Sequence, residues 1–557
     1  MLQFPQPAGD AALGLARALR VTRTAGAVLV ARGLVDADES QRFLDPRLAH
    51  LTVPDAMKDR AEAVARIARA VRAKERVCVF GDYDADGVTA AALLTDVLRT
   101  LGAEVIPLLA DRFNGGYGLS ALALARVLAT GATLLITCDC GSSDHERLEG
   151  VRRAGVDAVV IDHHRVPDEP LPAVAFLNPH RPECGFAYKG LASVGLALSV
   201  GAGVRAELGV ALDMRRWLDL VAIGTIGDVA PLDGDNRALV RAGLSLMGKG
   251  TRHGTRALAE VARCAAGAPT GEDVSFRLAP RINAPGRLDK PDLALALLLA
   301  TNEVDARRMA AEVEDFCTRR KEVERGVTAE ALAMLEDPVL AALPAIVLGR
   351  QGWHPGVVGI VAGRLASRFR KPTIILALDG ARGRGSVRGP AGFSVYDALA
   401  RVRDVLVAFG GHHAAAGVEI ESARLDALRD RFCDSCLEEG GVPPAPAGPD
   451  ADAVLHEGDS AAKVLDDLER FEPCGQSNPS PRLAVERTPL LRTRELNGGH
   501  LRLWIHIGGV EISCFGPEMG PQASQLGSHV RVVGALKRDT WQGGRGAEMR
   551  LIAAEPA

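Results

Sequence analysis

The chain has 557 residues, which at roughly 100–200 residues per domain predicts several domains rather than a single core. With 66 Lys and Arg against 70 Asp and Glu, the formal net charge is −4, which excludes a protein that coats nucleic acid or an anionic membrane through overall positive charge. The ten cysteines are scattered, no apolar stretch of about 18 residues occurs, and no secretion signal opens the chain, so we expect reduced thiols, no membrane span and a cytoplasmic location.

Four short apolar runs in the first half of the chain predict buried strands. They cover residues 77–80, 105–109, 134–138 and 158–161, with a helix predicted over 61–75. Helix-length segments separate the runs, and this alternation is typical of a parallel sheet with crossover helices. A further apolar run at 217–226 fits a strand or a helix, because its periodicity does not decide between them.

Carboxylates and imidazoles follow these runs directly. Asp82, Asp84 and Asp86 follow the first run, Asp111 the second, Asp139 the third, Asp162, His163 and His164 the fourth, and Asp228 the run at 217–226. Because parallel strands end at one edge of their sheet, where ligands bind, we expect most of these side chains to converge.

A cluster of acidic groups is costly, because like charges raise one another's pKa unless a cation lies between them. Mixed carboxylate and imidazole ligands suit Mn²⁺, and an all-oxygen site suits Mg²⁺. Two such ions can activate a water and stabilise the leaving oxygen in phosphoester cleavage. Neither a Walker-type phosphate loop nor a dinucleotide-binding G-x-G-x-x-G after a strand is present, which argues against an ATPase or a dinucleotide-dependent enzyme.

The second half of the chain predicts a connector, a second α/β unit and a barrel. Residues 301–338 are dense in charge, with apolar residues at helical spacing, which indicates one long helix. The α/β unit has predicted strands at 345–348 and 373–378, helices at 357–369 and 394–406, and an arginine- and glycine-rich loop at 382–389. A Pro/Gly-rich stretch at 441–450 predicts a linker, and alternating runs beyond 480 predict a small antiparallel barrel.

The run Asp162-His163-His164 is the signature of the DHH phosphoesterase superfamily, and within it the chain resembles the RecJ family of bacterial single-strand-specific 5′→3′ DNA exonucleases. The matching motifs lie at 43–46, 81–87, 111–119, 279–287, 353–356, 410–412 and 473–479. The resemblance implies an α/β fold with a DHH-type parallel-sheet catalytic lobe, a long connecting helix, a smaller α/β second lobe of the DHHA1 type, and a C-terminal β-barrel of the OB-fold.

The domain boundaries that follow are predictions. They are 1–60 for an N-terminal extension packing on the catalytic lobe, 61–300 for the DHH catalytic domain, 301–338 for the connecting helix, 339–440 for the DHHA1-like substrate-binding domain, 441–450 for the linker, and 451–557 for the nucleic-acid-binding OB-fold with its lead-in segment.

The resemblance further implies two divalent metal ions, Mn²⁺ or Mg²⁺. Their ligands would be Asp82, Asp84, Asp86, Asp139, His163 and Asp228, and the catalytic residues Asp139, His163 and His164. Asp139 would bridge the ions, and His164 would orient the phosphate or an outer ligand. Some relatives have His at the position of Phe80, so the first ion would take Asp82 or water here.

On the substrate side, the resemblance implies contacts from both lobes. The candidates are Arg112, Arg281, Asn283 and Arg287 in the first lobe, and Ser386, Arg388 and His412 in the second. Arginine offers a planar fork to phosphate oxygens, and the second-lobe group would bind the 5′-terminal phosphate. Trp504, Phe515 and Trp541 are candidate stacking residues in the barrel, and each fits the barrel core equally well.

The leading hypothesis is an enzyme that degrades single-stranded DNA from the 5′ end to mononucleotides by two-metal hydrolysis, in DNA repair and recombination. The alternatives are a DHH-family phosphodiesterase acting on oligoribonucleotides or cyclic dinucleotides, a pyrophosphatase, and a DNA-binding scaffold without catalysis. The predicted barrel argues against small substrates, and the retained ligand residues argue against a scaffold. The resemblance also implies a single-strand-binding protein and a helicase as partners, and we expect a monomer without membrane association.

Overall fold

The computed structural model describes residues 2–6, 9–264, 267–288, 290–439, 450–539 and 546–557. Trp541 and all but the last residue of the predicted linker 441–450 lie outside these residues. The chain begins with three helices, α1 (Asp10–Leu19), α2 (Arg23–Ala31) and α3 (Ala37–Leu44). Among the residues so described, no helix is both long and apolar enough to cross a membrane.

The first lobe is built on a sheet of five parallel strands in the order β2-β1-β3-β4-β5. The strands are β1 (Arg76–Gly81), β2 (Glu104–Leu109), β3 (Leu134–Cys138), β4 (Asp157–Ile161) and β5 (Ala175–Leu177). The first four are the predicted strands, which the structure confirms. The fifth was not predicted, because it is three residues long and follows a proline-rich stretch.

The helices of the first lobe cover both faces of this sheet and pack on one another. They are α4 (Arg60–Ala73), α5 (Ala85–Thr100), α6 (Ala121–Ala129), α7 (His145–Arg153), α8 (Ser193–Glu207), α9 (Leu218–Gly227), α10 (Gly234–Gly248), α11 (His253–Val261), α12 (Gly271–Asp273), α13 (Ala279–Gly286) and α14 (Asp292–Leu298). The ambiguous run at 217–226 forms α9, which is buried along its length, as expected for a helix that is apolar on all sides. A π-helical turn, Val274–Leu278, joins α12 to α13.

The predicted connecting helix is confirmed as α15 (Glu303–Met334), and it leads into a second lobe. This lobe contains α16 (Pro338–Ala342), β6 (Ile346–Gln351), α17 (Val358–Phe369), β7 (Thr373–Asp379), β8 (Arg382–Arg388), α18 (Val395–Arg401), β9 (Ala408–Gly411), β10 (Ala415–Glu421) and α19 (Leu425–Glu438), with its sheet in the order β6-β7-β8-β10-β9.

The prediction of a loop at 382–389 is wrong, because residues 382–388 form β8 between two antiparallel neighbours. Glycine and arginine alternate here, so the larger side chains share one face of the strand. Small residues on the other face let β8 pack closely, since a Cβ on Gly385 would lie 2.7 Å from the carbonyl oxygen of Ile375.

The C-terminal region closes into a barrel. It contains β11 (Ala453–Val454), α20 (Ala461–Glu469), β12 (Leu483–Leu496), β13 (His500–Ile507), β14 (Val510–Gly516), β15 (His529–Asp539) and β16 (Gly546–Pro556), and a β12–β15 pairing completes the ring. The predicted barrel is confirmed, but it is not wholly antiparallel, because β14 and β16 pair in parallel.

The N-terminal extension was predicted to pack on the catalytic lobe. It contacts that lobe, but it packs mainly on the barrel. Leu15, Leu29 and Leu44 are buried in the same apolar cluster as the barrel strands. Contacts with the first lobe come from the end of α3, where the carbonyl oxygen of Phe43 accepts a hydrogen bond from Arg237, and from the residues that follow, such as Thr52, whose backbone N–H donates to Asp235. The extension therefore joins the barrel to the catalytic lobe.

Candidate metal centre and arginine pocket

The motif at 81–87 forms a tight turn between β1 and α5. Asp84 caps α5, because its Oδ1 accepts hydrogen bonds from the backbone N–H groups of Asp86 at 3.0 Å and Gly87 at 3.1 Å. The two glycines permit this approach, since a Cβ on Gly81 would lie 2.5 Å from the carbonyl oxygen of Gly87. The turn brings three carboxylates to the carboxyl end of β1.

Asp86 and Asp139 are oriented by the start of α8. The backbone N–H groups of Ser193 and Val194 donate to Asp86 at 2.7 and 2.9 Å, and the Ser193 hydroxyl donates to Asp139 Oδ1 at 3.2 Å. Asp139 itself has φ +64°, an unusual backbone conformation directly after β3. Ser193 was not predicted as part of the site, because its sequence neighbourhood contains no other polar group that marks it.

His163 lies between the carboxylates. Its Nε2 is 3.2 Å from Asp139 Oδ1, 3.7 Å from Asp228 Oδ1 and 3.9 Å from Asp86 Oδ2. This nitrogen is buried and has no hydrogen-bond partner, which is costly unless a ligand satisfies it. The structure thus brings three predicted carboxylate ligands together around one imidazole, itself a predicted ligand.

Three overlapping groups of side chains have ligand atoms within 4.8 Å of one another, the spacing that a metal ion requires. The groups are Asp139 with His163 and His164, Asp86 with His163 and Asp228, and Asp82 with Asp84 and Asp139. Asp82 Oδ1 is also buried without a partner, whereas Phe80 is buried in an apolar cluster. The groups that combine carboxylate oxygen with imidazole nitrogen fit Mn²⁺, and the all-oxygen group also fits Mg²⁺. Asp82 is placed to supply a ligand where Phe80 cannot.

The electrostatics of the cluster show a shortage of positive charge. Burial and the Asp84 carboxylate raise the pKa of Asp86 to about 7 and that of Asp139 well above its ordinary value. Burial, with Asp86 and Asp84, raises the pKa of Asp228 to about 9. Burial and the charge of His164 lower the pKa of His163 to about 4, which keeps it in the neutral form that binds metals.

The pKa of His164 is shifted in the opposite direction to that of His163. Its Nδ1 is 2.8 Å from Asp162 Oδ1, and although burial opposes the charge, this bond raises the pKa of His164 to about 9. Asp162 also accepts the backbone N–H of Ser142 at 3.0 Å, and these bonds overcome its burial to lower its pKa to about 2. Asp162 therefore anchors the loop and holds His164 as a cation beside the metal centre.

Two aromatic rings contact His164 from different directions. The Tyr117 hydroxyl donates to the carbonyl oxygen of Asp139 at 3.1 Å, and its ring meets His164 edge-on at 5.5 Å. The His412 ring, which comes from the second lobe, stacks on His164 at 6.0 Å. His412 thus lies across the interlobe gap, where the resemblance placed it, and its contact with substrate stays a prediction. Tyr117 lies in the motif at 111–119 but was not predicted as a site residue.

Three of the predicted arginines form a pocket between the lobes, which we name the arginine pocket and which consists of Arg112, Arg287 and Arg388. Burial, with the charges of Arg112 and Arg320, lowers the pKa of Arg287 to about 10, and burial with Arg112 lowers that of Arg388. Arg112 stacks on the Tyr83 ring at 4.4 Å and has a buried Nε without a hydrogen-bond partner. Within the described ranges no carboxylate forms an ion pair with any of the three, so the pocket is suited to an anion.

The other predicted substrate residues differ in what they contact. Ser386 accepts a 2.7 Å hydrogen bond from Arg388 and so belongs to the arginine pocket. Arg281 forms an ion pair with Glu314 on α15 and donates to the carbonyl oxygen of Arg277, so its guanidinium is already occupied. Asn283 has a buried Oδ1 without a partner.

Both described candidate stacking residues of the barrel are half-buried. Arg492 lies over the Trp504 ring at 4.4 Å, and Phe515 meets the His500 ring at 5.5 Å. Each ring therefore has a polar neighbour on the barrel surface, and the stacking role stays a prediction.

Comparisons with known proteins agree with this arrangement. Residues 76–225 match the DHH family N-terminal domain, 339–438 the DHHA1 domain and 451–553 the RecJ OB domain. The single-stranded-DNA-specific exonuclease RecJ of Bacillus subtilis is 33% identical over 97% of this chain and 69% of its own.

Crystal structures of RecJ from Thermus thermophilus, in complex with Mn²⁺ and with Mg²⁺, have TM-scores of 0.84 and 0.78 to this chain. Their sequences are 31% and 30% identical to this chain. The two matches cover 100% of this chain, and 78% and 77% of the respective Thermus thermophilus chains. With the three domains in the same order and the acidic cluster in place, the chain belongs to the RecJ family of single-stranded-DNA-specific exonucleases.

Proposed function

We propose that this protein is a metal-dependent exonuclease that degrades single-stranded DNA from the 5′ end to mononucleotides. The observation that carries the proposal is the presence of two clusters of opposite charge, the mostly buried carboxylates around Asp139 and the half-buried arginine pocket. Among the described residues no carboxylate pairs with the arginine pocket, and His164 offsets only part of the charge of the carboxylates. A phosphodiester bound together with divalent metal ions supplies the missing negative and positive charge.

The metal centre is assigned by its donors. Asp82, Asp84 and Asp139 would hold one ion, and Asp86, Asp139, His163 and Asp228 the other, which satisfies the orphaned Nε2 of His163. When bound, two divalent ions supply Lewis acidity that lowers the pKa of an attacking water and offsets the charge on the leaving oxygen.

The remaining steps belong to the side chains of the chain itself. His164 is held through Nδ1 by Asp162, so its Nε2–H is free to donate to a phosphate oxygen, and its positive charge stabilises the charge that develops there. Arg112, Arg287 and Arg388 bind the 5′-terminal phosphate, and Tyr117 and His412 restrict the space around His164. Binding of a terminal phosphate beside the reacting one makes the enzyme release one nucleotide at a time.

The substrate preference follows from the two lobes. A cleft between them admits one strand, and the barrel adds a surface on which further bases and phosphates bind. We extend the proposal to a monomer that acts in the cytoplasm in DNA repair and recombination, supplied with single strands by a helicase and a single-strand-binding protein.

End-labelled substrates test the proposal. The full chain with Mn²⁺ is incubated with single strands labelled at the 5′ or the 3′ end, with duplex, with short RNA, with a cyclic dinucleotide and with pyrophosphate. We expect immediate release of a labelled mononucleotide only from the 5′-labelled single strand. Faster turnover of the dinucleotide, the RNA or pyrophosphate would assign the protein to small substrates instead.

A further inference from the structure

A cavity of about 280 Å³ borders the metal centre on the side of the barrel. One wall contains Gly227 and Val229, the two neighbours of the metal-site residue Asp228, and a second wall contains Phe276 and Asn283. The third wall is formed by Gly475 and Gln476, in the segment that leads to β12. The cavity therefore lies between the carboxylates of the first lobe and the barrel.

The cavity has exposed apolar groups at its rim. Phe276 is 76% exposed and Val229 is 63% exposed, although both are large and apolar. Val229 also has φ +61°, a backbone conformation that β-branched residues rarely adopt. Strained conformations of this kind cluster at functional sites. Phe276 belongs to the π-helical turn Val274–Leu278, an irregularity that is frequent at functional sites. Both features hold an apolar surface open beside Asp228.

The third wall is held in place by hydrogen bonds. The backbone N–H of Leu232 donates to the carbonyl oxygen of Gln476 at 2.9 Å, and Gly475 and Asn478 exchange two backbone bonds. The Asn478 side chain donates to the carbonyl oxygens of Phe471 at 2.9 Å and Pro473 at 2.7 Å. The cavity is therefore preformed.

The lining selects an uncharged, flat ligand. None of the described residues that line the cavity is charged, which disfavours a phosphate, and the buried Oδ1 of the lining residue Asn283 is an acceptor without a hydrogen-bond partner. The volume is just below the ~300–1,000 Å³ of pockets that enclose drug-sized ligands, so it suits one ring system. A phenyl ring at the rim can stack on the face of a nucleobase, and an unpaired acceptor in the lining can bind an amino group on its edge.

We propose that this cavity binds one base of the single strand, on the barrel side of the scissile phosphate. The inference rests on the proposed function, because it requires a strand that runs from the barrel to the metal centre. Phe276 stacks on the base, Val229 and the Gly475–Gln476 segment enclose it, and Asn283 accepts a hydrogen bond from it.

Strand binding without metal tests this site. The affinity of a 5′-phosphorylated single strand is measured in EDTA for the unchanged protein, for Phe276→Ala and for Phe369→Ala. Phe369 is a matched control, since it is an exposed phenylalanine at the end of α17, far along the chain from the cavity. We expect Phe276→Ala to bind roughly 5- to 100-fold more weakly, the loss of one base stack, and Phe369→Ala to bind normally.

A scan with abasic sites identifies the base. Strands that lack one base at successive positions from the 5′ end are measured against the unchanged protein and Phe276→Ala. We expect one position to weaken binding to the unchanged protein and to have no further effect on Phe276→Ala, because both changes remove the same contact. Thermal unfolding of Phe276→Ala should match the unchanged protein, since the side chain is mostly exposed.

Equal binding by all three proteins, or an abasic effect that persists in full in Phe276→Ala, would overturn the base site. Failure of the proposed function gives a different result. A protein that releases nothing from 5′-labelled strands but retains the coupled abasic effect has the base site without the exonuclease activity.

Discussion

The carboxylates around Asp139 and the arginine pocket are both clusters of like charge that are at least half-buried, yet they are assembled differently. The carboxylates follow strands of one sheet, except Asp228, which follows α9. Backbone N–H groups of the same lobe orient them, as those of α8 do for Asp86. The arginine pocket draws Arg112 and Arg287 from the first lobe and Arg388 from the second. The contrast implies that one lobe suffices for the chemistry, whereas recognition of the strand end depends on how the two lobes are positioned.

The largest effect is expected on the acidic side. Asp139→Asn removes the carboxylate that all the metal assignments share, so turnover of a 5′-labelled strand should fall by more than about 100-fold, the upper range for groups that only support a metal ligand. Strand binding in EDTA should stay close to normal, because the arginine pocket and barrel are unchanged.

Asp213→Asn is the matched control for this variant, as Asp213 lies on the surface in a pair with Arg215. Normal turnover by Asp139→Asn, or an equal loss in Asp213→Asn, would contradict the assignment of the reaction to the first lobe.

Metal addition should stabilise the acidic cluster and leave the arginine pocket unaffected. Ions that bind the folded state at 100 times their Kd contribute about 2.7 kcal/mol, so Mn²⁺ should raise the Tm of the EDTA-treated protein by about 5–10 °C. The rise should be much smaller in Asp139→Asn and unchanged in Arg388→Ala. A rise of the same size in all three proteins would place the ions elsewhere.

The arginine pocket should affect the choice of end rather than the reaction. Arg388→Ala removes a charged donor to the terminal phosphate, which is worth about 1.5–3 kcal/mol, so the preference for a 5′-phosphorylated over a 5′-hydroxyl strand should fall roughly 10- to 100-fold. Arg382, at the start of the same strand β8, is exposed and 3.7 Å from Glu419, and Arg382→Ala serves as the control. An unchanged preference in Arg388→Ala would remove the pocket from end recognition.

A carboxylate that is paired with a cation should stabilise the folded protein at neutral pH, in contrast to the like charges of the two clusters. Asp59 is partly desolvated, but hydrogen bonds from Arg181 and the backbone N–H of Phe176 lower its pKa below the ordinary value. Its contribution to stability is therefore present above the unfolded pKa of about 3.9 and is lost as the pH falls through the folded pKa. Asp59→Asn should lower stability by about 1 kcal/mol at pH 7 and by less as the pH approaches 3, measured by Tm. An equal deficit at both pH values would show that the charge contributes nothing.

The parts of the site that follow strands could be predicted, because an apolar run with an acidic residue after it is a local signal. Asp139 and His163 were found in this way. Ser193 was not, since its bond to Asp139 spans 54 residues and nothing nearby marks it. Arg281 was assigned to substrate on its motif, but its partner Glu314 lies on α15, 33 residues away, and only the packing of α13 against α15 reveals the ion pair. In β8 the signal was present, because arginine and glycine alternate with the period of a strand, and the glycines suggested a loop.

Anomalous diffraction at the manganese edge from crystals of this protein soaked in Mn²⁺ would locate the metal ions directly. We expect two peaks at the carboxyl edge of the first sheet, with Asp139 shared between them and His163 bound to one. A single peak outside this cluster, or none at saturating Mn²⁺, would contradict this metal assignment.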